Sequence, residues 1–382
     1  MKIVRSLIIG LMSICLVAVV GLLISGNGFI LTSIKRTYLA GHITANINDH
    51  QVFNVRSIPT AAAKTPLLKH EKFNKTPLPT EFLNELKVGG SAAFLVIKDG
   101  KVISENYFNG YDDRSKTNSF SMAKTVTTLL LGIAIQEGHV TGLDQPITDF
   151  IPEFSSDPLA KSATIANFSL MNSGYEWDEN YYTPFSPTVE LYYGGNIEEF
   201  LLSGEFSMEP GTFWEYSSAS TQIMGIFLLR ALQKAGAADT LSEYLSKKIW
   251  QPMQMNDDAA WHLDNSGMEL VYCCLNTNAR NFAKLGLLMI NGGNWNGQQL
   301  VPQEFVKQMI QPVGQPFYGL STWLALDRNP AYYWYSGHLG QYIINVPEHN
   351  TVIVRLGERM NPDEDFRSIT LPRYVEMATS IL

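Results

Sequence analysis

The stretch TNSFSMAKTVTTLLLGIAIQEG, residues 117–138, decides how this chain is read. Its apolar residues recur at helical i, i+3, i+4 spacing and the run stops at Gly138, so it predicts a packed helix ended by a glycine. With a helix start near Ser119, Ser121 and Lys124 lie three residues apart on one face, within side-chain reach. A serine hydroxyl is a weak nucleophile until a neighbour takes its proton, and a partly buried lysine can lose its own proton near neutral pH. The first helical turn also offers unpaired backbone N–H groups and the positive end of the helix dipole to a developing oxyanion. The spacing by itself equally describes a helix cap followed by a solvated lysine.

Two further stretches narrow that choice. EPGTFWEYSS (209–218) is a turn followed by Tyr216 and hydroxyls, just before a second apolar helix, STQIMGIFLLRALQKAG (220–236). SGHLGQ (336–341) opens a strand on which two glycines let a substrate lie close to the backbone. A third helix, ARNFAKLGLLMINGG (279–293), also ends on glycine.

Strand patterns flank this helical middle. SAAFLVI (91–97) and KVISENYF (101–108) surround Asp99-Gly100, a tight-hairpin signal. After Pro312, FYGLSTWLAL (317–326), YYWYSG (332–337), HLGQYIINVP (338–347) and TVIVRLG (351–357) read as strands, followed by a helix from Asp363 to Leu382. The fold class is therefore α+β. An antiparallel sheet from N- and C-terminal segments (88–112 and 315–360) is flanked by helices around an inserted, mainly helical region (120–300).

With 45% hydrophobic and 17% charged residues the composition is globular rather than disordered. A net charge of −8, with no basic run interleaved with aromatics, excludes an electrostatic footprint for nucleic acid. The seven histidines are scattered and no Cys/His cluster occurs, so neither a metal nor another cofactor is expected. Cys273 and Cys274 are adjacent, where a bridge is strained, and are expected as small buried hydrophobes in a fold without disulfides. Residues 7–24, LIIGLMSICLVAVVGLLI, carry no charge and follow Lys2 and Arg5. They match a bilayer-spanning helix of about 20 residues. The expected plan is an anchor over 1–30, a stalk and irregular lead-in over 31–80, and a catalytic domain over 81–382. The domain is placed outside the cytoplasm, on the periplasmic side of the cell membrane; a cleaved signal that releases it is the alternative.

From about residue 85 to 380 the sequence resembles the serine β-lactamase and penicillin-recognising hydrolase superfamily. Its class C-like branch includes family VIII carboxylesterases and 6-aminohexanoate-dimer hydrolases. The three signatures occur in order: S-x-x-K as Ser121-Met-Ala-Lys124, Y-x-N/S as Tyr216-Ser-Ser218, and K-T-G or H-x-G as His338-Leu-Gly340. LMNSG (170–174) and EPG (209–211) fit the same pattern. The resemblance implies a β-lactamase/transpeptidase-like fold and an acyl-serine hydrolase of small amides, esters or peptides. Ser121 would be the nucleophile, Lys124 its proton acceptor and Tyr216 a general base or acid. The Ser121 and Gln341 N–H groups would form the oxyanion hole. Ser218 and His338 depart from the usual Asn and Lys, which weighs against a β-lactamase or D,D-peptidase. A catalytically silent, membrane-tethered binding protein is the reading from a different class. G-x-S-x-G, the nucleophile elbow of α/β-hydrolases, is absent.

Overall fold

Asp99 and Gly100 both take positive φ, 50° and 75°, and fold two buried strands back on each other. In the computed structural model, which describes residues 2–360 and 365–382, this hairpin begins the main sheet. In chain order the elements that matter here are α1 (Lys2–Ile24), α2 (Phe29–Arg36), β1 (Val55–Ile58), α3 (Thr80–Val88), β2 (Ser91–Lys98), β3 (Lys101–Tyr107) and β4 (Thr117–Asn118). They continue with α4 (Met122–Gln136), α5 (Pro187–Tyr193), α6 (Ser218–Lys234), β5 (Ala259–His262), β6 (Leu275–Thr277) and α7 (Ala279–Ile290). The chain closes with β7 (Trp323–Ala325), β8 (Tyr332–Gly337), β9 (Gln341–Val346), β10 (Thr351–Gly357) and α8 (Leu371–Thr379).

The main sheet has six antiparallel strands in the order β3-β2-β10-β9-β8-β7. Its N- and C-terminal halves meet where Phe94 pairs with Arg355. Both faces are covered, so β2 is apolar from Ala92 to Ile97 and its two faces separate by alternation. Phe94 and Val96 pack with Phe82 of α3 and Tyr374 of α8, whereas Ala93, Leu95 and Ile97 join the larger core containing α4 and α7. Helix α7 lies close on the sheet at Gly286, where an added Cβ would sit 2.5 Å from Val352 and 2.7 Å from Ile343.

A second sheet, β1-β5-β6-β4, is not legible in the sequence, because its strands are only two to four residues long. It sets the nucleophile segment. Thr117 pairs with Thr277, and Ser119 and Leu275 exchange two hydrogen bonds of 2.9 and 3.1 Å. Helix α4 then runs through the interior, buried from Met122 to Ala134. Its threonines satisfy their hydroxyls on loop carbonyls, Thr125 on Ser321 and Thr127 on Val271.

Several expectations are corrected. Residues 31–80 are irregular, as their prolines require, but they are not a free stalk. Ile47 and Phe53 are buried in the core, β1 pairs with β5, and buried Asp49 accepts a 2.7 Å hydrogen bond from Tyr192. Burial raises the Asp49 pKa to about 6. Cys273 and Cys274 are disulfide-bonded; Cys274 takes φ 73° and the Cα atoms are 3.7 Å apart, so a left-handed residue accommodates the adjacent pair. Of 317–326 only Trp323–Ala325 is a strand, because Ser321 turns the backbone at φ 45°. His338–Gly340 does not open a strand: Leu339 (φ 61°) and Gly340 (φ 80°) form a tight turn joining β8 to β9. The terminal α-helix starts at Leu371 after a wider turn over Phe366–Thr370; the predicted start at Asp363 lies outside the described residues. Helix α4 begins at Met122 rather than near Ser119.

Helix α1 is apolar all round and packs little against the rest. Its segment Ile3–Ile24 has a mean hydropathy of 3.0 and none of it is buried, so it is long and apolar enough to cross a membrane.

Candidate active site

Phe120, in the left-handed region at φ 43°, turns the chain sharply out of β4 and leaves Ser121 at the mouth of α4. Ser121 is partly accessible while Lys124, one turn on, is buried. The Lys124 Nζ donates to Ser121 Oγ at 3.0 Å, to Ser218 Oγ at 3.0 Å and to the Tyr272 carbonyl at 3.1 Å. Those three acceptors fill its donor capacity. Desolvation pushes the Lys124 pKa down to about 8, against the opposing pull of the Glu179 carboxylate. The Tyr216 ring centroid lies 5.0 Å from Nζ, and its phenol interacts with the Ser121 hydroxyl. Burial and the nearby Glu179 charge push the Tyr216 phenol well up, so it stays protonated through the physiological range.

Glu179 is the residue that sequence reasoning missed. Its carboxylate accepts from the Ser218 backbone N–H at 2.7 Å, the Ser218 hydroxyl at 2.5 Å, the Trp177 indole at 2.7 Å and the Tyr181 hydroxyl at 2.5 Å. It sits in the aromatic segment 175–182, YEWDENYY; no short-range pattern links a glutamate there to a serine 39 residues later.

The sequence-predicted residues divide into two groups. Ser121, Lys124 and Ser218 form one hydrogen-bonded cluster with the Tyr216 ring beside Lys124, and Ser121, Ser218 and His338 line a common cavity of about 330 Å³. His338 lies between Phe120, edge-on at 5.5 Å, and Tyr181, stacked at 5.1 Å. Desolvation lowers its pKa to about 4, which leaves a neutral imidazole. Gly340 and the Gln341 side chain are not among that cavity's lining. A Cβ on Gly340 would meet Arg355 Nη1 at 2.6 Å, and the Gln341 amide spans His338 and Gly357.

The cavity is uncharged. Its described lining contains no Lys, Arg, Asp or Glu. Three buried polar atoms of lining residues, Tyr193 OH, Tyr272 OH and His338 Nε2, have no protein hydrogen-bond partner.

A helix mouth bearing a serine against a depressed lysine, beside an open six-stranded antiparallel sheet, fits a hydrolase of the serine type. The chain belongs to the beta-lactamase family, whose model matches residues 84–372. It is 24% identical over 229 residues to the 6-aminohexanoate-dimer hydrolase of Paenarthrobacter ureafaciens; that alignment covers 57% of this chain and 56% of the relative, so it spans little more than half of it. Among solved structures, a Bacillus anthracis protein provisionally assigned as a 6-aminohexanoate-dimer hydrolase superposes with a TM-score of 0.74 at 20% identity, covering 87% of this chain and 92% of that one. A family VIII carboxylesterase gives 0.64 at 18% identity, with coverage of 82% and 99%. A penicillin-binding protein homologue from Caulobacter crescentus gives 0.62 at 15%, with coverage of 82% and 99%. These superpositions establish a shared β-lactamase/transpeptidase-like fold.

Proposed function

We propose that the chain hydrolyses uncharged esters or amides through an acyl-enzyme on Ser121. The single observation that carries this reading is the Lys124 ammonium site: a buried lysine, its pKa pushed down to about 8, 3.0 Å from the Ser121 hydroxyl. Neutral Lys124 takes the Ser121 proton as Oγ attacks the carbonyl carbon. The resulting ammonium is held by Ser218 and favoured by the Glu179 charge behind it. The oxyanion forms at the mouth of α4, where the Ser121 N–H has no acceptor among the described residues; the Gln341 N–H is the proposed second donor. Tyr216, kept protonated, gives its proton to the departing alkoxide or amine and regains one from Lys124. Water then enters on the same path in reverse and releases the acid.

A β-lactamase or D,D-peptidase role is less well supported, since those substrates bring a carboxylate to a cavity without a cation. The zwitterionic 6-aminohexanoate dimer meets the same objection. Helix α1 supports a single-pass anchor in the cell membrane, and Lys2 and Arg5 favour a periplasmic catalytic domain; a cleaved signal with a released domain is the alternative. The test is full-length protein in detergent, assayed on p-nitrophenyl esters, D-amino-acid amides, 6-aminohexanoate dimer and nitrocefin. Uncharged esters or amides should turn over fastest; nitrocefin turnover rivalling the best ester would replace this reading with the β-lactamase one.

A further inference from the structure

The outer wall of the active-site cavity is built from the residues that immediately follow the apolar helix. Ile30 and Ile34 of α2, then Tyr38 and Ile43, line it together with Ser121. From Ile24, the last residue of α1, to Ile30 is six residues, at most about 20 Å of fully extended chain. If α1 spans a bilayer, this wall stands at the headgroup layer whatever the orientation of the domain. The rim is apolar as well as close. Ile34 is 39% exposed, Tyr38 60%, Ile43 86% and, across the opening, Tyr182 77%. Exposed apolar patches at the mouth of a cavity mark a ligand or membrane contact.

Resting on the hydrolase reading above, we propose that this cavity draws its substrate from the membrane: an ester or amide whose uncharged acyl chain passes from the bilayer between α2 and Tyr182 to Ser121. A cavity of about 330 Å³ holds a medium-length chain rather than a whole lipid. The bond to the alcohol or amine breaks, the Ser121 Oγ–acyl bond forms, and the leaving group departs with one proton. Water then releases the fatty acid and restores Ser121. The lining it passes carries no charged side chain, so an uncharged chain meets no ion there.

The test uses full-length protein in phosphatidylcholine vesicles with p-nitrophenyl acetate, butyrate, octanoate and decanoate. kcat/KM should rise at least about tenfold from acetate to octanoate, as added methylenes are buried. Ile34→Asp and Ile43→Asp should flatten that ratio, with acetate as the reference within each variant. Ile43 is 86% exposed, so its variant decides the matter should Ile34→Asp fail to fold. Hydrolysis of acetate with a flat or falling chain-length profile overturns this inference and leaves the hydrolase reading standing. A rise untouched in the folded variants overturns the assignment of this cavity. No hydrolysis of any ester, with Ser121 unlabelled in folded protein, overturns both.

Discussion

The Glu179 carboxylate grips Ser218 at two points, its backbone N–H at 2.7 Å and its hydroxyl at 2.5 Å, and so fixes the oxygen that receives Lys124. A loop on one side of the cleft thereby sets the geometry of the proton acceptor on the other. Glu179→Gln keeps the shape but removes the charge, and hydrogen bonds to charged groups are worth about 1.5–3 kcal/mol. We expect kcat/KM to fall roughly 10- to 100-fold, with a small change in Tm. Unchanged kinetics would show that Glu179 is a packing residue.

The pH profile provides a second reading of the same pair. Neutral Lys124 is the competent form, so kcat/KM on an uncharged ester should rise with pH through a limb near 8. Glu179 raises the Lys124 pKa, so Glu179→Gln should move the limb to lower pH. Movement to higher pH, measured on the same ester, contradicts the assignment of Lys124 as base.

His338 should stay neutral from pH 7 to 5, because burial holds its pKa near 4. Lowering the pH over that range should therefore bring no gain on nitrocefin or benzylpenicillin relative to an uncharged ester. A selective gain on the carboxylate-bearing substrates would show that the imidazole protonates and binds them.

Much of this was legible in the sequence, and the parts that were not share a cause. Repeating signals were readable: the 3.6-residue period of α4, α6 and α7 with their terminal glycines, the Asp99-Gly100 hairpin, and the Ser121, Lys124 and Tyr216 cluster. Structure resting on single long-range contacts was not. The two-residue β4 has no period, the Glu179–Ser218 contact joins a loop to a distant helix start, and the docking of residues 29–58 depends on buried pairs such as Asp49–Tyr192. The turn at His338–Gly340 reads as strand in the sequence because the first of its two left-handed residues is a leucine, Leu339, where glycine is the usual signal.

Gly286 tests the packing. An added methyl there meets Val352 and Ile343 at 2.5 and 2.7 Å, and overpacking a core costs about 1–3 kcal/mol, more than the roughly 0.8–1 kcal/mol gained in helix propensity. Gly286→Ala should lower the denaturant midpoint with an unchanged slope. A stabilised variant would mean that α7 stands farther from the sheet.

Lys124 and Tyr216 act on one proton path, so Lys124→Met and Tyr216→Phe should each remove most of the turnover and the double variant little more. Additive losses would assign them independent roles.

The central claim is the acyl-enzyme on Ser121, and the most direct measurement is intact and peptide mass spectrometry after treatment with a fluorophosphonate. The account predicts one adduct, on the peptide containing Ser121, in the wild-type protein and none in a Ser121→Ala variant of similar melting temperature. Folded wild-type protein without an adduct, or with the adduct on another residue, would contradict it.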